Sequence, residues 1–388
     1  MKCNFLCLVC ESNNLTIISE FSNLPRVTSD SRRWPSGGQL CVCEACGAAQ
    51  KLPTETWHAE AKKIYSTYDL WPLAKGREQP IFSVSGESKP RSNLLIEFLL
   101  NNYSAEIRGD LLDVGCGTGA ALGNFSRALP SWNLFAADLT DRFLPALQRI
   151  PLFKELFVGP LENIRRRFDL IAMIHSLEHF PQPYEALCQI RRLLSQNGTL
   201  LVAVPNAEVS PFDYLVVDHL VHFGPEQLAH IVQRAGLNIN HLRVDVLPKE
   251  IGMLAMTASD VSEARRMPSE IQKTVDQAHS GVQWLSALLR AANESSKKAR
   301  RSGHRFGIFG TSISGMWLYG AMENEIDFFV DEDIARQGAC LEGHPVIAPE
   351  DVPNHASVFL ALLPDVAMNV KSRLASCLGN WIRPPPRQ

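Results

Sequence analysis

Apolar residues between positions 111 and 204 gather into short runs: Leu111–Val114, Leu134–Ala137, Phe168–Ile174 and Leu200–Val204. Mixed stretches long enough for a helix separate them. Strand-length apolar runs alternating with helices predict parallel β-α-β units, with the sheet covered on both faces. A second alternation starts at 305 with "RFGIFG" and continues through "EIDFFVDED" and "HASVFLALLP". Between the two, "IQKTVDQAHSGVQWLSALLRAANESSKKARR" has helical character and ends in the basic run Lys297, Lys298, Arg300 and Arg301, read as a solvated helix end. The first 75 residues show neither period. These shifts predict four segments: a loop-rich module over 1–75, an α/β domain over 90–250, a helical connector over 260–300 and a smaller α/β domain over 301–388. "FSVSGESKP" forms the first linker, and no tandem repeat or low-complexity tract is present. The fold class is α/β, with a central doubly wound sheet, a small N-terminal module and a C-terminal α/β domain.

The stretch "LLDVGCGTGA" (111–120) puts Gly115, Gly117 and Gly119 directly behind the first strand, with Asp113 just before them. Glycine tolerates positive φ and lets a ligand approach the main chain. In doubly wound sheets, ligands sit beyond the carboxyl ends of the strands where the strand order reverses. The spacing here is G-x-G-x-G, and no Lys-Ser/Thr follows, which excludes a P-loop. Asp138 closes the next strand in "LFAADLT", where an acid grips ribose hydroxyls. A nicotinamide-dinucleotide domain and a cofactor-free relic remain as alternatives.

Taken in order, these motifs resemble the class I S-adenosylmethionine-dependent methyltransferases. "LLDVGCGTGA" is similar to their first motif and "AADLT" to their second. "FVGPLENI" resembles the adenine-side segment, "FDLIAMIHSLEHFPQP" the fourth strand with its loop, and "LLSQNGTLLVAVPN" the fifth. The likeness spans about 160 residues and implies a Rossmann-like methyltransferase sheet. It further implies that Asp113, Gly115, Cys116 and Gly117 cradle the methionine part of S-adenosylmethionine. Asp138 with Leu139 would bind its ribose, Glu162 would lie beside the adenine, and His175 would lie near the reacting centre. Methyl transfer is an in-line displacement on an activated carbon, so the protein must align the acceptor and remove its proton. Candidate bases are histidines and acids on the loops after the fourth and fifth strands.

At 388 residues the chain is long enough for two or three domains. A net charge of −3 and a pI near 6.4 offer no general attraction to nucleic acid or anionic membranes. No apolar run approaches a membrane span, and "MKCNFLCLVC" is too short and cysteine-rich for a secretory signal. A cytoplasmic protein is expected. Six of the ten cysteines lie in the first 46 residues, and two pairs have C-x-x-C spacing, Cys7/Cys10 and Cys43/Cys46. That pattern in a large cytosolic chain favours a metal over disulfides. Four thiolates from two knuckles suit a closed, structural Zn2+. Cys3 and Cys41 lie near enough to compete as ligands, and free thiols are the alternative.

Zinc knuckles, methyltransferase and a second α/β unit, in that order, resemble the sugar C-methyltransferase family, which methylates a ring carbon of nucleotide-linked deoxy-keto sugars. "CEACGAAQ" is similar to its second knuckle, "IYSTYD", with Tyr65 and Tyr68, to its tyrosine segment, and "FGIFGTSISGMWLYG" with "VDEDIARQG" to its C-terminal Rossmann-like domain. The likeness is loose over 14–40 and 250–300. It implies a small-molecule acceptor, a sugar nucleotide, with neither nucleic acid nor membrane as partner, and leaves the oligomeric state open. In the C-terminal domain Gly307, Gly310 and Gly315 form a turn that departs from G-x-G-x-x-G. It reads as a degenerate nucleotide-like unit, with a second dinucleotide site as the alternative.

One departure touches the chemistry. The family carries Tyr-His-Glu-His and a later tyrosine where this chain reads "VVDHLVHF" (216–223). Asp218 stands for the glutamate and His219 for the second histidine. Val216 and Val217 replace the tyrosine and first histidine, and His222 the later tyrosine. The expectation is His219 as general base, its ring oriented by Asp218, with Tyr68 and His179 of "SLEHF" at the acceptor and Glu178 structural. The alternative is that His219 and His222 only pack at a helix entrance. O-methylation, which needs one base and no enolate support, competes with C-methylation. A non-catalytic scaffold and a zinc-guided enzyme acting on protein or nucleic acid are further alternatives.

Overall fold

In the N-terminal region, short strands β1 (Leu15–Ile17), β2 (Leu40–Cys43) and β3 (Ala49–Lys51) pair antiparallel, followed by helix α1 (Glu55–Ser66). The structure is a computed structural model describing residues 5–68, 78, 80–82, 88–103, 108–257 and 269–387. Helix α1 starts at Thr54, whose side chain accepts the Trp57 N–H, a cap that contributes about 1 kcal/mol.

Helix α2 (Arg91–Asn102) leads into the central unit. Its elements run β4 (Asp110–Val114), α3 (Ala120–Ala128), β5 (Asn133–Asp138), β6 (Phe153–Val158), β7 (Phe168–Ile174), α4 (Pro183–Leu193) and β8 (Leu194–Pro205). A two-residue strand β9 (Val221–His222), helix α5 (Pro225–Arg234), β10 (Leu237–Arg243) and β11 (Glu250–Thr257) complete it. The seven-stranded sheet has the order β6-β5-β4-β7-β8-β11-β10. All neighbours are parallel except β11, which runs antiparallel to β8 and β10. Leu111, Leu112, Ile171, Met173, Leu200 and Val202 are fully buried, each contributing about 1.5–3 kcal/mol. The order reverses between β4 and β7, which opens the crevice at their carboxyl ends.

Helix α6 (Ile271–Arg301) crosses to the C-terminal unit: β12 (Arg305–Phe309), α7 (Ile313–Met322), β13 (Phe328–Val330), β14 (His344–Ile347), β15 (Ala356–Leu360), α8 (Pro364–Arg373) and β16 (Asn380–Ile382). Its sheet has the order β14-β13-β12-β15-β16, all parallel, with Cys340–Leu341 pairing antiparallel at the β14 edge.

The N-terminal sheet is completed from the central unit. Strand β9 pairs with β3, Val221 opposite Gln50 and His222 opposite Ala49. The Trp57 indole N–H donates to the Val217 carbonyl at 2.9 Å, and that of Trp317 on α7 to the Pro25 carbonyl at 2.9 Å. This stitching sets residues 213–222 between the module and the crevice.

Candidate functional site

At the end of β4 the chain bends through Gly115, φ +76, whose N–H donates to the Ala137 carbonyl at 2.8 Å. A Cβ there would lie 2.7 Å from the Ser176 Cβ, so this turn and the loop after β7 touch backbone to side chain. Gly117 donates its N–H to Asp138 Oδ2 at 3.1 Å, and Thr140 its N–H to Oδ1 at 3.3 Å. Asp113 is buried, and its Oδ2 has no hydrogen-bond partner among the described residues. Burial first, then Asp138 and Glu78, raise its pKa to about 7. Cys116 is buried beside it, and burial pushes its thiol up. Leu139 is exposed just past Asp138, and exposed Glu162 sits on the turn Leu161–Asn163 after β6. An orphaned buried carboxyl and a half-buried acid at the strand end fit S-adenosylmethionine.

The loop after β7 carries the second group. His175 adopts φ +51, uncommon for a non-glycine residue. Its Nε2 lies 2.8 Å from Glu250 Oε2 and its Nδ1 3.3 Å from Glu178 Oε1. Burial opposes its charge, but Glu250 and Glu178 outweigh burial and nearby Arg91 and hold its pKa up at about 9. Arg91 itself pairs with Glu250 at 2.9 Å. Both Glu178 carboxylate oxygens are buried and accept no hydrogen bond among the described residues. His179 Nδ1 faces the Asp218 carbonyl and the Tyr65 hydroxyl, each at 3.0 Å. Burial opposes its charge too, yet Asp218 raises its pKa.

His219 meets His179 edge-on, ring centroids 4.6 Å apart. Its Nδ1 lies 2.6 Å from Asp213 Oδ1, and His222 Nδ1 lies 2.6 Å from Asp213 Oδ2. This corrects one expectation: Asp213, not the adjoining Asp218, orients the His219 ring. Asp218 is turned away and held by the Ser29 N–H at 2.9 Å, the Ser29 hydroxyl at 2.5 Å and His179 at 3.4 Å. Tyr68 joins through its hydroxyl, 3.1 Å from that of Ser29. Burial raises the carboxyl pKa of Asp213, but His222 and His219 outweigh it and hold it well below the usual range. Asp218 behaves likewise, against burial, through His179 and His219.

Asp213, Ser29 and Lys51 of this network escaped sequence reasoning. Asp213 and His219 lie six residues apart across a 3-10 turn at Pro211–Leu215, where neither helix nor strand periodicity applies. Ser29 arrives from a turn of the N-terminal region and Lys51 from its sheet. A lysine inside a buried strand was the available signal.

Cys7 and Cys46 sulfurs lie 3.6 Å apart, as do those of Cys10 and Cys43, and all four fall within 4.8 Å of one another. A tetrahedral zinc with bonds of about 2.3 Å has sulfur–sulfur edges of about 3.8 Å, so the set is compatible with zinc. The Val9 N–H donates to Cys7 Sγ at 3.4 Å. Cys41 is buried on β2 outside this group of four, and Cys3 lies outside the described residues.

Residues 90–242 match the family model described as "Methyltransferase domain". The chain is a S-adenosylmethionine-dependent methyltransferase. This methyltransferase is 23% identical over 196 residues to a ubiquinone biosynthesis O-methyltransferase of Nitrosomonas europaea, covering 44% of this chain and 78% of that one. It is 22% identical over 203 residues to a like-named protein of Pseudoalteromonas translucida, covering 47% and 83%. Among solved structures it is similar to 1,6-didemethyltoxoflavin-N1-methyltransferase of Burkholderia thailandensis, with TM-score 0.40 and 19% identity over 55% of this chain and 96% of that one. Among the described residues of the methyltransferase, no helix is long and apolar enough to cross a membrane.

Proposed function

We propose that this methyltransferase acts on a small sugar-like acceptor linked to a nucleotide, and methylates a carbon beside a carbonyl with His219 as base. The observation that carries the reading is the edge-on pair of imidazoles, each fixed by its own carboxylate. Asp213 takes the Nδ1 hydrogen of His219 and leaves Nε2 with a lone pair. His179, its pKa raised by Asp218, keeps a proton to donate. A carbon acid needs both: the C–H proton passes to His219 Nε2, the electron pair stays on the acceptor as an enolate, and its oxygen accepts a hydrogen bond from His179. Tyr65, 3.0 Å from His179, and Tyr68 line the same edge. Bound S-adenosylmethionine supplies an activated methyl group. Gly115, Gly117, Asp113 and Cys116 hold its methionine part, Asp138 and Leu139 its ribose, Glu162 the adenine side, with His175 near the reacting centre. Cys7, Cys10, Cys43 and Cys46 hold a structural zinc. The sugar nucleotide rests on the resemblance of the three-part order.

O-methylation is the second reading. Two buried valines, Val216 and Val217, stand where the sugar family has tyrosine and histidine, and the curated relatives are named O-methyltransferases. Incubating the protein with S-adenosylhomocysteine and a panel of nucleotide-linked keto-sugars in D2O separates the two. The first reading expects deuterium at one acceptor carbon, lost in His219→Asn. No deuterium uptake in that experiment, with methyl transfer to an acceptor oxygen once S-adenosylmethionine replaces S-adenosylhomocysteine, would overturn it.

A further inference from the structure

Lys51 sits on β3, in the module, with its side chain wholly buried. Its ammonium reaches the Val216 carbonyl, the His219 carbonyl at 2.9 Å and His222 Nε2 at 3.0 Å. An ammonium offers three N–H donors and accepts nothing, so all three are used and His222 Nε2 must be the acceptor. His222 then carries its hydrogen on Nδ1, which donates to Asp213 Oδ2 across 2.6 Å. The carboxylate's other oxygen takes the Nδ1 hydrogen of His219 across 2.6 Å. The hydrogen bonds along the relay Lys51–His222–Asp213 therefore run one way, and His219 donates into the same carboxylate from the other side.

We infer that Lys51 is a positioning residue that fixes the hydrogen of His222 on Nδ1, keeps that imidazole neutral and so leaves the charge of Asp213 to the His219 imidazolium. The inference deepens the reading of His219 as base and rests on it for the catalytic effect. Were Lys51 absent, His222 would take a proton at Nε2, and two imidazoliums would compete for one carboxylate. Other groups act on the same relay. Arg26, Asp218 and Glu60 act on Lys51, Tyr214 packs its ring on His222, and His179 and Glu178 face His219. Burial and then Lys51 pull the His222 pKa down to about 4, against Asp213. Burial, helped by Arg26, outweighs the acids around Lys51 and lowers it to about 7, still above His222, so the proton between them stays on Lys51.

The test is 15N NMR of histidine-labelled full-length protein, free of acceptor, alongside kcat/KM against pH. In the parent protein His222 should stay neutral with its hydrogen on Nδ1 from pH 5.5 to 8.5. In Lys51→Met it should titrate within that range. The kcat/KM at neutral pH should fall about tenfold or more, recovering in part as pH rises and His222 loses the extra proton. Lys51→Arg should keep the parent tautomer. Cofactor affinity within about twofold of the parent shows that a variant is folded. A His222 that titrates in the parent, or that is unchanged in folded Lys51→Met, overturns the inference. The expected tautomers with full activity in His219→Asn would instead overturn the base assignment and leave the relay standing.

Discussion

In the central sheet, the acid at the end of the second strand, Asp138, accepts two backbone N–H groups, at 3.1 and 3.3 Å. In the C-terminal sheet the corresponding acid, Asp331, is tied down. It accepts the Thr311 N–H at 3.1 Å, the Thr311 hydroxyl at 2.6 Å and the Asp333 N–H at 2.9 Å, and pairs with Arg336 at 3.4 Å. Arg336 also donates to the Thr311 hydroxyl at 2.8 Å. Two places before the first turn glycine, the central strand has Asp113 where the C-terminal strand has Ile308. Both turns solve the same problem of leaving a strand and entering a helix. Among the described residues, only the central one keeps an orphaned buried carboxyl for a ligand. A glycine turn marks a connection; the unused hydrogen-bonding capacity of the acids beside it marks a binding site.

The largest difference should follow from removing each acid. Asp138→Ala should weaken S-adenosylhomocysteine binding about 10- to 100-fold, the range expected for losing charge-assisted hydrogen bonds. Asp331→Ala should leave that affinity within about twofold and instead lower stability by about 1–3 kcal/mol, because it strips partners from Thr311 and Arg336. Calorimetric titration and denaturant unfolding read the two effects. Equal loss of affinity in both variants would erase the distinction.

A smaller contrast separates the glycines. Gly115 and Gly310 both have positive φ, +76 and +92. An alanine costs about 1–2 kcal/mol at either for the left-handed backbone. At Gly115 it also meets Ser176 at 2.7 Å, whereas nothing lies within 4 Å of a Cβ at Gly310. Gly115→Ala should therefore disturb the loop carrying His175 and Glu178 and reduce turnover. Gly310→Ala should lower the melting temperature alone.

A further contrast is a pH slope. The folded-state pKa of Asp113 is raised to about 7, above the ordinary value of about 3.9. The folded state therefore holds a proton that the unfolded chain has released. Its contribution favours folding most below pH 4 and is lost as pH rises from about 4 to about 7. Asp113→Asn should flatten that part of the stability profile of the cofactor-free protein. Ile308, its C-terminal counterpart, adds no such slope.

Much of this contrast was legible in the chain. Asp113, the glycines and Asp138 lie within two strand ends, where local order carries the pattern. The half-exposed strands β6 and β10 left no clean apolar run, since an edge position buries few of their side chains. The pairing of His219 was harder. Asp218 is its neighbour in sequence, but adjacent residues in extended or turning chain point apart. The partner came from Asp213, and Lys51 from a different sheet, through the pairing of β9 with β3. No spacing encodes a contact made by two elements that meet only after folding.

The central claim is that one of the two turns, and only that one, is the methyl-donor cradle. Isothermal titration of S-adenosylhomocysteine into ligand-free, full-length protein tests it most directly. One equivalent per chain, abolished by Asp138→Ala and kept by Asp331→Ala, is the result expected. No binding heat, or a second equivalent that survives Asp138→Ala, would contradict it.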